Sequence, residues 1–152
     1  MMMLRLKSSL SAAAILSCAL ATQATAWEFT PGMPCVLTHQ SGDVAVTLTY
    51  DPVTPLYSIS LKQTEGFPAA PTFGLRFDGD LPIAIGTDRH QFTDDRRRVT
   101  VEDSGFGNVL NGLQFNKLMT AFVGAQVISV PLNGAAEPVA AFRACEAPLP
   151  TS

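Results

Sequence analysis

Along the middle of this chain apolar residues recur at every second position, and that period decides the fold class before any other feature. Val44, Val46, Leu48 and Tyr50 alternate with Ala45, Thr47 and Thr49, and Tyr57, Ile59 and Leu61 alternate with Ser58, Ser60 and Lys62. Successive side chains of an extended strand point to opposite faces, so each run buries one face and wets the other. Between the runs, Asp51-Pro52-Val53-Thr54-Pro55 cannot continue a ladder, because each proline lacks a donor and the aspartate favours a turn. Residues 43–62 therefore read as an antiparallel hairpin.

The same period continues on both sides. An initial strand spans Cys35 to Gln40. After the proline-rich stretch 66–71, Phe73, Leu75 and Phe77 alternate with Gly74, Arg76 and Asp78, and Asp78-Gly79-Asp80 turns the chain. Leu81, Ile83 and Ile85 form the next run, with Pro82 marking an edge position, and Val99 and Val101 a further short one. Past Asp103 the texture changes. Val109 to Leu113 reads as a short helical turn, and Leu118, Met119 and Phe122 share a helical face, with Asn116 as its cap and Gly124 as its stop. Ile128, Val130 and Leu132 then alternate as a strand. Ala136, Val139, Ala140 and Phe142 lie at helical spacing and predict a last helix starting near Ala135, which leaves Pro138 in its first turn. The expected fold is mainly β (α+β): an antiparallel β-sandwich-like domain with one or two short helices near the C-terminus.

The N-terminal end reads differently. Arg5 and Lys7 precede an apolar stretch from Leu10 to Ala21, and Ala24-Thr25-Ala26 offers the small residues that a signal peptidase accepts. Residues 1–26 are expected to be a signal peptide and 27–152 a single exported domain. The stretch is interrupted by Ser11, Ser17, Thr22 and Gln23, and no later stretch is long enough to span a bilayer. A competing reading lipidates Cys18, and the bulky Leu16 argues against it. The expected location is thus periplasmic or secreted. Loss of Arg5 and Lys7 makes the mature chain more acidic than the −3 of the whole, which argues against nucleic acid as a partner. The three arginines at Arg96-Arg97-Arg98 are interleaved with Asp88, Asp94, Asp95, Glu102 and Asp103, a self-neutralised loop.

With Cys18 removed, Cys35 and Cys145 are the remaining thiols in a chain bound for an oxidising compartment, and they are expected to form a disulfide that ties the first strand to the last helix. Motif chemistry is sparse. The chain has no phosphate-binding G-x-x-x-x-G-K-[ST] loop and no H-E-x-x-H pair. Asp103-Ser104-Gly105 has the order of a serine nucleophile turn, but the glycine-rich frame is missing, and His39 and His90 sit in no partner motif and read as exposed polar residues. Asp78 and Asp80 flank a glycine without the further oxygens that calcium requires. No catalytic residue, cofactor or metal is therefore assigned. One stretch stands apart: Ser104, Gly105, Phe106, Gly107 and Asn108 form a candidate binding loop whose glycines permit unusual backbone directions. The plainer reading is a glycine turn, with Phe106, Val109, Leu110 and Leu113 pinning the loop to the core.

The leader, the early Cys35-Val36-Leu37-Thr38-His39-Gln40 strand, the alternating strands and the closing run from Val127 to Ala136 resemble the small exported proteins of the invasion-associated locus B type, found in alphaproteobacteria. That resemblance implies a β-rich envelope protein linked to host-cell association, without established catalytic residues. The functional expectation is a non-enzymatic binding module for an envelope protein, a glycan or a small ligand, with Trp27, Phe67 and Phe106 gathered in an exposed aromatic patch. The alternative is a periplasmic hydrolase using Ser104 with His39 or His90.

Overall fold

A computed structural model describes residues 26–145. The leader reading, Cys18 included, rests on residues outside that range. The described chain runs β1 (Glu28–Thr30), β2 (Cys35–Ser41), β3 (Val44–Asp51), β4 (Leu56–Lys62), β5 (Phe73–Gly79), β6 (Ile83–Thr87), β7 (Gln91–Thr93), β8 (Arg98–Asp103), α1 (Gly107–Phe115), β9 (Asn116–Val123), β10 (Gln126–Pro131) and α2 (Ala136–Arg143). One antiparallel sheet has the order β1-β2-β3-β4-β8-β7 and the other β10-β9-β5-β6. They pack as the sandwich-like, mainly β domain that the alternation predicts.

The first sheet shows why period two was readable. Its pairings line up Leu37, Leu48, Ile59 and Val101 in one cross-strand row, and His39, Val46, Leu61 and Val99 in the next. Apart from the partly buried His39 and Val101, these side chains are almost completely removed from water. The second sheet answers with Ile128, Ala121, Leu75 and Ile85, and with Val130, Met119, Phe77 and Ile83. Burying one such aliphatic side chain stabilises by about 1.5–3 kcal/mol. A strand shifted by one residue would forfeit its whole set, which fixes the register. Tight turns help: Gly42 and Gly124 each take φ 58 at the first central position of two-residue hairpin loops, a conformation that costs glycine little.

The segment read as a helix at 116–123 is strand β9. Lying between β5 and β10, it buries Met119, Ala121 and Val123 on one face, while Leu118 and Phe122 on the other are half-covered. With apolar residues on both faces the sequence satisfies helical spacing as well as alternation, and the pairing on both sides decides for the strand. Gly124 turns a hairpin instead of stopping a helix. Asn116 does cap a helix, but the preceding one: its Nδ2 donates to the Gly112 carbonyl at 3.0 Å, and the side chain also clamps both backbone groups of Leu81.

The helix α1 crosses from one sheet to the other and buries Val109, Leu110, Gly112 and Leu113. It packs against α2, which covers β1 and β2. The disulfide Cys35–Cys145 joins the start of β2 to the second residue after α2, with Cα atoms 6.4 Å apart. Cys35 thus sits on the second strand, because the three-residue β1 precedes it. Among the described residues no helix is long and apolar enough to cross a membrane.

Candidate functional site

One open place among the described residues follows from one short strand. β7 has three residues and pairs only with Arg98, Val99 and Thr100 of β8, so among the described residues Val101, Glu102 and Asp103 have no strand neighbour on that side. Opposite them, in the other sheet, lies the edge strand β6. Between the two is a cleft of about 430 Å³. Its floor is apolar, from Ile59, Phe73, Leu75, Val101, Phe106 and Val109, and its mouth carries Thr87, Arg89, Asp103 and Asn108.

Arg89 and Asp103 close the mouth on one side. The Arg89 Nη2 donates to Asp103 Oδ2 at 2.8 Å across the gap left by β7. Asp103 also accepts the Ser104 backbone N–H at 2.7 Å. That hydrogen bond, followed by the one from Arg89, holds the Asp103 carboxyl below its ordinary value of 3.8. Both side chains remain well exposed, at 67% and 38%, so solvent screens the pair and it can open without large cost.

The candidate loop is part of this cleft. Gly105, Phe106, Gly107 and Asn108 line it, and Ser104 does not. The plainer expectation for the same stretch also holds, since Phe106, Val109, Leu110 and Leu113 are buried and anchor the loop. Phe106 stacks on Tyr57 at 5.4 Å, and Tyr57 stacks on Tyr50 at 4.1 Å. Burial first, and Tyr50 second, raise the Tyr57 hydroxyl above its ordinary value. The start of α1 carries no side-chain cap and no acidic residue in its first turn.

The expected aromatic patch is not on the surface. Trp27, Phe67 and Phe106 are each only 4% exposed. All three belong to the buried core cluster of the sandwich. Nor are the histidines freely exposed. His39 stacks on Trp27 at 4.4 Å, and the His90 Nε2 lies 2.8 Å from the Ala70 carbonyl, with its ring against Phe92. The Ser104 hydroxyl contacts Asp103 at 3.5 Å, and among the described residues no hydrogen bond links Ser104 to either histidine. Asp78 pairs with Arg76 at 2.9 Å. Among the described residues no group of three His, Cys, Asp or Glu side chains could hold a metal ion.

Sequence reasoning missed Arg89, Asp103 and the floor residues Ile59, Leu75 and Val101 as members of one site. Nothing local marks them, because the site is made by two sheets and by the length of β7. No family model, curated protein or solved structure matches the chain.

Proposed function

We propose that this chain is an exported envelope protein that acts by non-covalent binding, with the cleft between β6 and β8 as its binding site. The observation that carries this is the cleft itself: an apolar floor beneath a rim whose charges are already paired. Such a site desolvates an apolar group without leaving a buried charge uncompensated. The disulfide supports export, since such bonds persist in oxidising compartments. The resemblance to the invasion-associated locus B type agrees with a partner-binding role at the envelope. The engagement of His39 and His90 away from Ser104 weighs against the hydrolase alternative.

The test uses a fluorescent apolar probe, anilinonaphthalene sulfonate, titrated into the native protein and into Val101→Trp, which fills the cleft. Saturable binding that Val101→Trp abolishes at an unchanged melting temperature is the expected result. Equal binding by both proteins overturns the assignment. Export is tested separately: mass spectrometry of the native protein should find Trp27 at its N-terminus, and an intact leader refutes it.

A further inference from the structure

β6 is an edge strand beside the cleft, and the sheet geometry shows which of its backbone groups lack a partner. The loop Gly124-Ala125 closes β9 on β10 with Val123 opposite Gln126, which makes that a hydrogen-bonded pair. The Leu132 N–H donating to the Lys117 carbonyl at 2.9 Å continues the same alternation. Carried across the sheet, the alternation turns Phe122 toward β5, Gly74 toward β9 and Leu75 toward β6. On β6, Ile83, Ile85 and Thr87 are then bonded to β5, while Ala84 and Gly86 turn their N–H and C=O groups outward.

Edge strands of stable proteins are normally blunted by lysine, proline or a bulge. The other edge of this sheet follows that rule: the outward positions of β10 are Val127, Ser129 and Pro131, and the proline has no N–H to offer. β6 carries one such device, Pro82 at the outward position just before it, and none between Ile83 and Thr87, so the blunting is confined to the start of the strand. Its outward positions are the two smallest residues, both exposed, and a methyl group built on Gly86 meets nothing within 4 Å. An added strand therefore finds donors, acceptors and room.

We propose that the occupant of the cleft is an extended peptide strand that pairs with Ala84 and Gly86 and places an apolar side chain between the sheets. The proposal rests on the cleft reading above and names its ligand class. Side chains on a strand alternate, so a peptide continuing this sheet directs every second residue over Ile85 and Val101. Charge sets the flanks. Asp88 directly follows β6 and Asp80 precedes it by three residues, and neither takes part in an ion pair among the described residues, whereas Arg89 is compensated by Asp103. The fitting peptide is about seven residues long at roughly 3.3 Å per residue, apolar at alternate interior positions and basic at both ends.

The probe is a fluorescein-labelled seven-residue peptide with lysine at each end and leucine alternating with threonine between, read by fluorescence polarisation on the intact protein. Binding should weaken at least tenfold when the peptide amides that face β6 are N-methylated. It should weaken similarly in Gly86→Pro, which removes one outward donor and leaves the β5 ladder in place. Exchanging the lysines for glutamates should weaken it as well. The N-methylated peptide needs no protein variant, so the test stands even where Gly86→Pro fails to fold. If anilinonaphthalene sulfonate still fills the cleft but N-methylation changes nothing, the strand proposal is overturned and the cleft reading survives. If Val101→Trp leaves both probes unaffected, the cleft reading falls too. If the protein self-associates and Gly86→Pro makes it monomeric, the edge serves a second copy and the peptide proposal is likewise overturned.

Discussion

Replacing Gly112 by alanine sets two effects of known size against each other. In an exposed helix interior alanine is favoured over glycine by about 1 kcal/mol. Here Gly112 faces the ring of Phe77, and an added methyl falls well inside contact distance of three ring atoms. Overpacking of that kind costs about 1–3 kcal/mol. Phe77 is fully buried, with Ile83 and Met119 on either side in register, so its ring has nowhere to turn and the cost lies at the upper end. Gly112→Ala should therefore lose about 2 kcal/mol net. Urea unfolding should show a lower midpoint at an unchanged slope, and a melting temperature lower by roughly 8 °C. Adding Phe77→Leu should recover about 1 kcal/mol relative to the sum of the single changes, because the two sites share one contact. An alanine variant more stable than the parent by about 1 kcal/mol would show that helix propensity wins, and would refute the tight packing of α1 on β5.

Three further outcomes follow from the same structure. Reducing the disulfide, or replacing Cys35 and Cys145 together by alanine, should cost 2–4 kcal/mol in urea unfolding, within the roughly 4.7 kcal/mol that a loop of 110 residues sets in the simple model; an unchanged midpoint refutes a stabilising role. Asn116→Ala strips hydrogen bonds from the Leu81 N–H and from the Leu81 and Gly112 carbonyls, and should destabilise by about 2–3 kcal/mol, whereas an exposed position would tolerate it. The carboxyls of Asp51, Asp94 and Asp103 are held below their ordinary value, chiefly by the Thr54 hydroxyl, by Lys62 and by the Ser104 N–H respectively. A depressed carboxylate stabilises the fold above its unfolded value and ceases to do so as the pH falls through the folded one, so the urea midpoint should be flat from about pH 7 to 5 and drop below about pH 4. A midpoint that rises on acidification contradicts those contacts.

How far the sequence could be read depended on whether a segment has one buried face. β3 does, and its apolar and polar residues separate cleanly; β4 alternates as cleanly in sequence, although Ser60 on its polar face is buried too. β9 does not: Leu118 and Phe122 are partly covered on the face opposite Met119 and Ala121, so spacing alone could not tell strand from helix. β1 and β7, at three residues each, are too short to show any period. The glycine loop Gly105 to Asn108 stood out locally and does reach the cleft. The cleft itself left no local trace, since Val101 and Ile85 read as ordinary core positions until the shortness of β7 exposes the gap between them. The aromatic residues misled for a related reason, as sequence gives their size but not whether a small core can spare them.

Position in the register also revises what the disulfide does. Cys35 stands opposite Tyr50, Tyr50 opposite Tyr57, and Tyr57 opposite Asp103, one unbroken row from the covalent link to the rim of the cleft. Stacked rings start along that row and leave it: Tyr50 on Tyr57, and Tyr57 on Phe106 in the loop that lines the cleft. From the other side Phe142 of α2, three residues before Cys145, packs on Tyr57 at 6.3 Å. Tyr50 and Tyr57 are partly buried, and the rings that flank them, Phe106 and Phe142, belong to the core. The disulfide stabilises the fold through the loop it closes, and the cross-strand row that starts at Cys35 ends at Asp103 on the rim of the cleft.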